Sequence, residues 1–173
     1  RPELYMYGLS LGAYGSQARI SRVELLNDPV DGGLWAGPPF VSEFWNRVTD
    51  DRDEGSPAWL PVYQEGKVIR FTDGISGLDE PGPQWQDNKI IYLQYPTDPV
   101  VFFSTDYMLN EPEWLQGEKG FGVTPDMRWY PFVTFWQLAF DLANAGSTAE
   151  GYGHLYSADD YIDSWIALTD PSL

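Results

Sequence analysis

The segment Gly8-Leu9-Ser10-Leu11-Gly12 sets a serine between two glycines, each two residues away from it. Ahead of it, Leu4-Tyr5-Met6-Tyr7 reads as a short buried strand bounded by Gly8. Behind it, residues from Leu11 to about Ile20 read as a helix. A sharp strand-to-helix turn strains the serine and projects its Oγ from the end of a sheet. On this reading both glycines remove side chains that would collide with the strand and the helix. Amides at a helix start also face developing negative charge, which makes the Leu11 N–H the candidate oxyanion donor.

A serine hydroxyl at its ordinary pKa is a poor nucleophile and needs a base. The chain has one histidine, His154, in the loop Gly151-Tyr152-Gly153-His154-Leu155-Tyr156. A lone histidine is ordinarily a surface or capping residue; a loop position downstream of a strand-serine-helix turn favours the base. The imidazole in turn needs a carboxylate to hold its tautomer and stabilise the imidazolium. Asp98 follows the apolar run Lys89-Ile90-Ile91-Tyr92-Leu93-Gln94-Tyr95, at the carboxyl end where ligands of open α/β sheets lie. Its rivals have simpler explanations. Asp106 sits at an expected helix start, Asp126 is an expected cap before Met127, and Asp141 lies inside an expected helix.

These residues need a scaffold of short buried strands and flanking helices. Gly33-Leu34-Trp35-Ala36 and Val68 to Phe71 read as further strands, and the continuous apolar run at Lys89–Tyr95 suits a parallel strand covered on both faces. Phe40 to Val48 reads as a helix with Phe40, Phe44, Trp45 and Val48 on one face. Phe132 to Ala145 reads as another, with Phe132, Phe135, Trp136, Ala139, Phe140 and Ala143 at i, i+3, i+4 spacing and Gly146 as its stop. The last helix, from about Ala158 to Leu168, follows Ser157 with Asp160 three residues on, close to a capping box. Asp73 to Asp87 reads as irregular. Strands alternating with helices imply one α/β layered domain with a parallel sheet.

The bulk numbers remove other classes of function. With 173 residues, 43% of them hydrophobic and 16% aromatic, the chain can bury one real core and is too short for two. A formal charge of −16 argues against nucleic acid and against an anionic membrane surface. The lack of cysteine excludes a disulfide framework and a thiol nucleophile, and one histidine rules out a multi-histidine metal site. Neither a metal nor any other cofactor is expected. Twenty-six acidic residues make carboxylate pairs inevitable, so they carry no signal for glycoside chemistry. Most aromatic residues are expected in the core. Trp35, Phe102 and Phe103, beyond strand ends, are the candidates for an apolar acyl pocket.

The sequence resembles the α/β-hydrolase family of actinobacterial membrane proteins. The likeness is carried by Leu4 to Gly12, Asp31 to Pro39, Gly55 to Tyr63, Ile91 to Pro99, Met127 to Pro131, and Gly153-His154-Leu155-Tyr156. The resemblance implies an α/β-hydrolase fold and a Ser10–Asp98–His154 serine-hydrolase site, in the chain order this fold uses. Family members join a transmembrane N-terminal region to a hydrolase domain, so the full-length protein is expected to be membrane-anchored and this part soluble. The elbow falls within the first dozen residues, so residues 1–173 are expected to be the C-terminal part of a single domain. The N-terminal strands, and the loop giving a second oxyanion N–H, are expected in a missing segment that acts as partner. Three activities fit these residues: hydrolysis of a carboxylic ester or thioester, acyl transfer with the same triad, or a non-catalytic binding module. The expected substrate is a small-molecule or lipid ester.

Overall fold

A computed structural model describes residues 2–20, 30–78, 84–86 and 88–169. The irregular reading for residues 79–83 and 87 lies outside them. Four strands, β1 (Tyr5–Leu9), β2 (Gly32–Ala36), β3 (Ile69–Thr72) and β4 (Lys89–Leu93), form one sheet in the order β1-β2-β4-β3. All three pairings are parallel, with Leu34 opposite both Tyr7 and Ile91. Among the described residues, helices α1 (Leu11–Ile20), α2 (Glu43–Asp50), α3 (Pro99–Phe102), α4 (Val133–Ala143) and α5 (Ala158–Thr169) accompany the sheet, with short 3₁₀ turns between them.

The period-2 alternation of strand side chains explains why the sheet is covered on both faces. Trp35 and Tyr92 point one way and pack with Ala13, Val48, Val101 and Leu138, which come from α1 to α4. Leu34, Ala36, Ile91 and Leu93 point the other way and meet Ala167 and Leu168 of α5. Each fully buried Leu or Ile here contributes roughly 1.5–3 kcal/mol. The buried Gln94 amide is satisfied, accepting from Trp45 Nε1 at 2.7 Å and donating to the Trp59 carbonyl at 3.0 Å. Helix α5 is capped as its sequence implies, since the Asp160 amide donates to Ser157 Oγ at 3.2 Å.

Three local readings are corrected by the structure. β4 ends at Leu93, and Gln94 and Tyr95 continue as buried irregular chain. α2 starts at Glu43 after the N-cap position of Ser42, so Phe40 lies outside it. α4 buries Thr134, Phe135 and Leu138, while Phe132, Trp136 and Phe140 of the expected inner face are half or more exposed. That helix carries apolar residues on more than one side, and periodicity alone does not say which stripe meets the sheet.

Buried tyrosines lie on both faces of the sheet near the carboxyl end of β4. Burial, reinforced by a hydrogen bond to Asp160, pushes the Tyr95 phenol up to about 12. Burial raises the Tyr92 phenol, and burial together with the Asp98 charge raises that of Tyr156. A phenol raised in the folded state ionises more readily once unfolded. The stabilisation is therefore complete below the unfolded value of about 10 and is lost as pH rises through the folded values. Stability to urea should thus fall steeply between about pH 10 and 12, with part of the tyrosinate absorbance appearing only on unfolding. Full tyrosinate absorbance from the folded protein near pH 10 would contradict this packing.

Candidate active site

Ser10 occupies the single-residue turn between β1 and α1 with φ of 55°, a left-handed conformation that costs a non-glycine residue about 1–3 kcal/mol. The turn is clamped from both sides. The Ser10 amide donates to the Ala36 carbonyl at the end of β2 at 2.9 Å, and its own carbonyl accepts from Tyr14 at 3.1 Å. A Cβ on Gly8 would lie 2.5 Å from the Ala13 nitrogen, so strand and helix close up only over a glycine. Gly12 meets no such restriction, as a Cβ there would find nothing within 4 Å. The expected steric role of two glycines therefore belongs to Gly8 alone. Leu11 opens α1, and its amide is one of the helix-start donors with no acceptor inside the helix.

Asp98 sits at the turn leaving β4 and is 1% exposed. Burial of a carboxylate is costly unless donors surround it. Here Oδ1 accepts from the Val100 amide at 2.8 Å, which caps α3. Oδ2 accepts from His154 Nδ1 at 2.7 Å and from the Tyr156 hydroxyl at 2.6 Å. With Nδ1–H donating to the carboxylate, the neutral imidazole leaves its lone pair on Nε2. That Nε2 is buried and, among the described residues, has no hydrogen-bond partner.

The histidine loop is fixed to the same turn. The Gly153 amide donates to Thr97 Oγ1 at 2.9 Å, and the His154 amide to the Ala145 carbonyl at 3.0 Å. The imidazole lies against Gly37, where a Cβ would stand 2.6 Å from His154 Cε1; Gly37 also has φ of +51°. Gly37 directly follows Ala36, the residue that accepts the Ser10 amide. Serine turn and imidazole therefore meet the same stretch of chain beyond β2. Asp98 and His154 are in contact, whereas Ser10 Oγ and Nε2 are not hydrogen-bonded.

The other expected positions divide. Phe102 lines a cleft of about 170 Å³ beside Asp98, together with Trp114, Val123, Met127 and Leu138. Phe103 is partly buried between Phe40 and Phe135, at centroid distances of 5.2 and 5.6 Å. Trp35 is wholly buried between Phe44 and Tyr92 and forms core, not pocket wall, because its strand position points it into the sheet–helix layer. Asp106 stands in a 3₁₀ turn with its amide capped by Ser104, and Asp141 faces the cleft from α4. Tyr156, Gly37 and Thr97 are site residues that sequence reasoning missed. Tyr156 lies two residues beyond His154, but only the folded loop turns its hydroxyl onto Asp98.

The profile of an alpha/beta-hydrolase family matches residues 1–173. The chain belongs to this alpha/beta-hydrolase family. Among curated proteins and among solved structures, none matches it. The parallel sheet flanked by helices fits the alpha/beta-hydrolase fold, whose chain order for a triad is serine, acid, histidine. Among the described residues of this alpha/beta-hydrolase no helix is long and apolar enough to cross a membrane.

The close approach of Gly37 gives a direct check on the imidazole's seat. Gly37→Ala should displace the ring and abolish the far-downfield proton resonance expected for the His154 Nδ1–H in contact with Asp98. Gly12→Ala, which adds a methyl in open space, should keep that resonance and the melting temperature. Retention of the resonance in Gly37→Ala would place the ring elsewhere.

Proposed function

We propose that this alpha/beta-hydrolase is a serine hydrolase that cleaves carboxylic esters or thioesters with an apolar acyl group. The observation that carries the reading is the 2.7 Å contact of His154 Nδ1 with the buried Asp98, in a ring packed on Gly37 beside the Ser10 turn. In this mechanism the free Nε2 lone pair takes the Ser10 proton as Oγ attacks the carbonyl carbon. The charge that moves onto the carbonyl oxygen is met by the Leu11 amide at the start of α1; one such donor is worth roughly 10²–10³ in rate. Collapse of the tetrahedral intermediate breaks the acyl–oxygen or acyl–sulfur bond, and the imidazolium hands its proton to the leaving group. Water then repeats the sequence against the acyl-enzyme and frees the acid and Ser10. No cofactor enters any step.

Asp98 has two tasks here, since its Oδ2 holds the imidazole tautomer while its charge offsets the imidazolium. The cleft beside it is walled by Phe102, Leu138 and Met127, with Asp141 facing it from α4, which supports an apolar acyl group over an anionic one. Hydrolysis and acyl transfer share every step up to the acyl-enzyme and differ in what resolves it.

The reading is tested by fluorophosphonate labelling of the protein, with Ser10→Ala and His154→Ala alongside. Labelling is expected in the parent and in neither variant. An unlabelled parent would remove the activated serine and favour a binding module on the same scaffold. For the acyl group, p-nitrophenyl butyrate should be turned over faster than the acetate; the reverse order would detach the cleft from acyl binding. An ester product formed when an alcohol is added would mark the activity as acyl transfer.

A further inference from the structure

Asp98 Oδ2 carries two donors, and only one of them belongs to the triad proposed above. The second is the hydroxyl of Tyr156, at 2.6 Å. Tyr156 is 9% exposed, and its ring stacks on Tyr95 with centroids 4.4 Å apart and an interplanar angle of 22°. Tyr95 is anchored in turn, accepting from the Ser157 amide at 2.9 Å and donating to Asp160. Gly37 confines the other side, because a Cβ there would lie 2.8 Å from Tyr156 Cε2. The phenol therefore has one orientation, and it keeps its proton because burial and the Asp98 charge both disfavour the phenolate.

A buried phenol needs an acceptor, but it does not need this one. Here it shares the single oxygen that the imidazole uses. Two donors on one carboxylate oxygen divide its charge, so each strengthens less when the other is present. A carboxylate without the phenol would stabilise the imidazolium more, since hydrogen bonds to the charged form lower its remaining attraction. The phenol also fixes the rotation of the carboxyl group, and with it the plane of the imidazole.

We infer that Tyr156 is a positioning residue for the Ser10–His154–Asp98 site, setting the basicity of His154 through Asp98. The inference rests on the triad reading. Among the described residues, the titratable groups in contact with the imidazole are Asp98 from the turn after β4 and Tyr156 from its own segment. Behind them stand Tyr95, Asp160 and Tyr161, and Tyr7 of β1 beside Tyr161.

His154 is the only histidine, so its ring-proton NMR signal can be followed against pH without reference to activity. Tyr156→Phe keeps the ring and its stack and removes the hydroxyl. Its His154 titration curve, and the acid limb of the kcat/KM profile for an activated ester, should both move to higher pH by about half to one unit. Replacing Tyr156 with 3-fluorotyrosine strengthens the donor at almost unchanged size and should move both to lower pH. This second substitution keeps the question answerable should Tyr156→Phe fold poorly. Asp98→Asn should also move the His154 curve to lower pH. Curves unmoved by both tyrosine changes, with Asp98→Asn shifted, would overturn the role of Tyr156 and leave the triad standing. Curves unmoved by all three would overturn the Asp98–His154 pairing itself.

Discussion

The buried carboxylate of Asp98 is the constraint around which the carboxyl end of the sheet is arranged. An ion at 1% exposure is tolerated only with donors on both oxygens, and those donors come from three different places. The Val100 amide belongs to α3, the imidazole to the loop after α4, and the phenol to the residues leading into α5. Satisfying one charge thus draws three segments to the end of β4. The Gly153 amide, donating to the Thr97 hydroxyl, adds a backbone-to-side-chain link between the same two turns.

The second requirement is room. Parallel strands end at similar heights, and side chains at their carboxyl ends compete for one small space. Residues Ala36 and Gly37 resolve that competition at the end of β2. The Ala36 carbonyl binds the Ser10 turn, and the missing Cβ of Gly37 admits the imidazole and the Tyr156 ring. At both Gly8 and Gly37 a methyl group would strike a neighbour closer than 3 Å. Glycine is a structural necessity at these two points and a free choice at Gly12.

Much of the fold and the candidate triad was legible in the sequence. The apolar runs at Leu4, Gly33 and Lys89 became strands, and the Gly8–Gly12 segment became the turn that its residue types implied. Asp98 could be chosen because a strand end is a position as well as a composition, and His154 because it has no competitor. What stayed hidden depends on which way a side chain turns. Trp35 sits one residue before the strand end, where alternation sends it into the core. Trp136 and Phe140 lie on the solvent-facing side of α4, whose Phe135 and Leu138 are buried. The Tyr156–Asp98 contact joins residues 58 apart, and no local pattern records it.

The same economy limits how the site can be dissected. Removing the Asp98 carboxylate takes away the α3 cap and leaves the Tyr156 hydroxyl and the Nδ1–H buried without an acceptor. Each orphaned group costs about 1–3 kcal/mol, on a total stability of only about 5–15 kcal/mol for a domain. A change at Asp98 therefore mixes chemistry with folding. Ser10 is different, since its turn is held by backbone bonds to Ala36 and Tyr14. Tyr156 stands between the two: its ring belongs to the core and its hydroxyl to the site. That one side chain therefore ties the aromatic packing with Tyr95 to the buried Asp98 carboxylate.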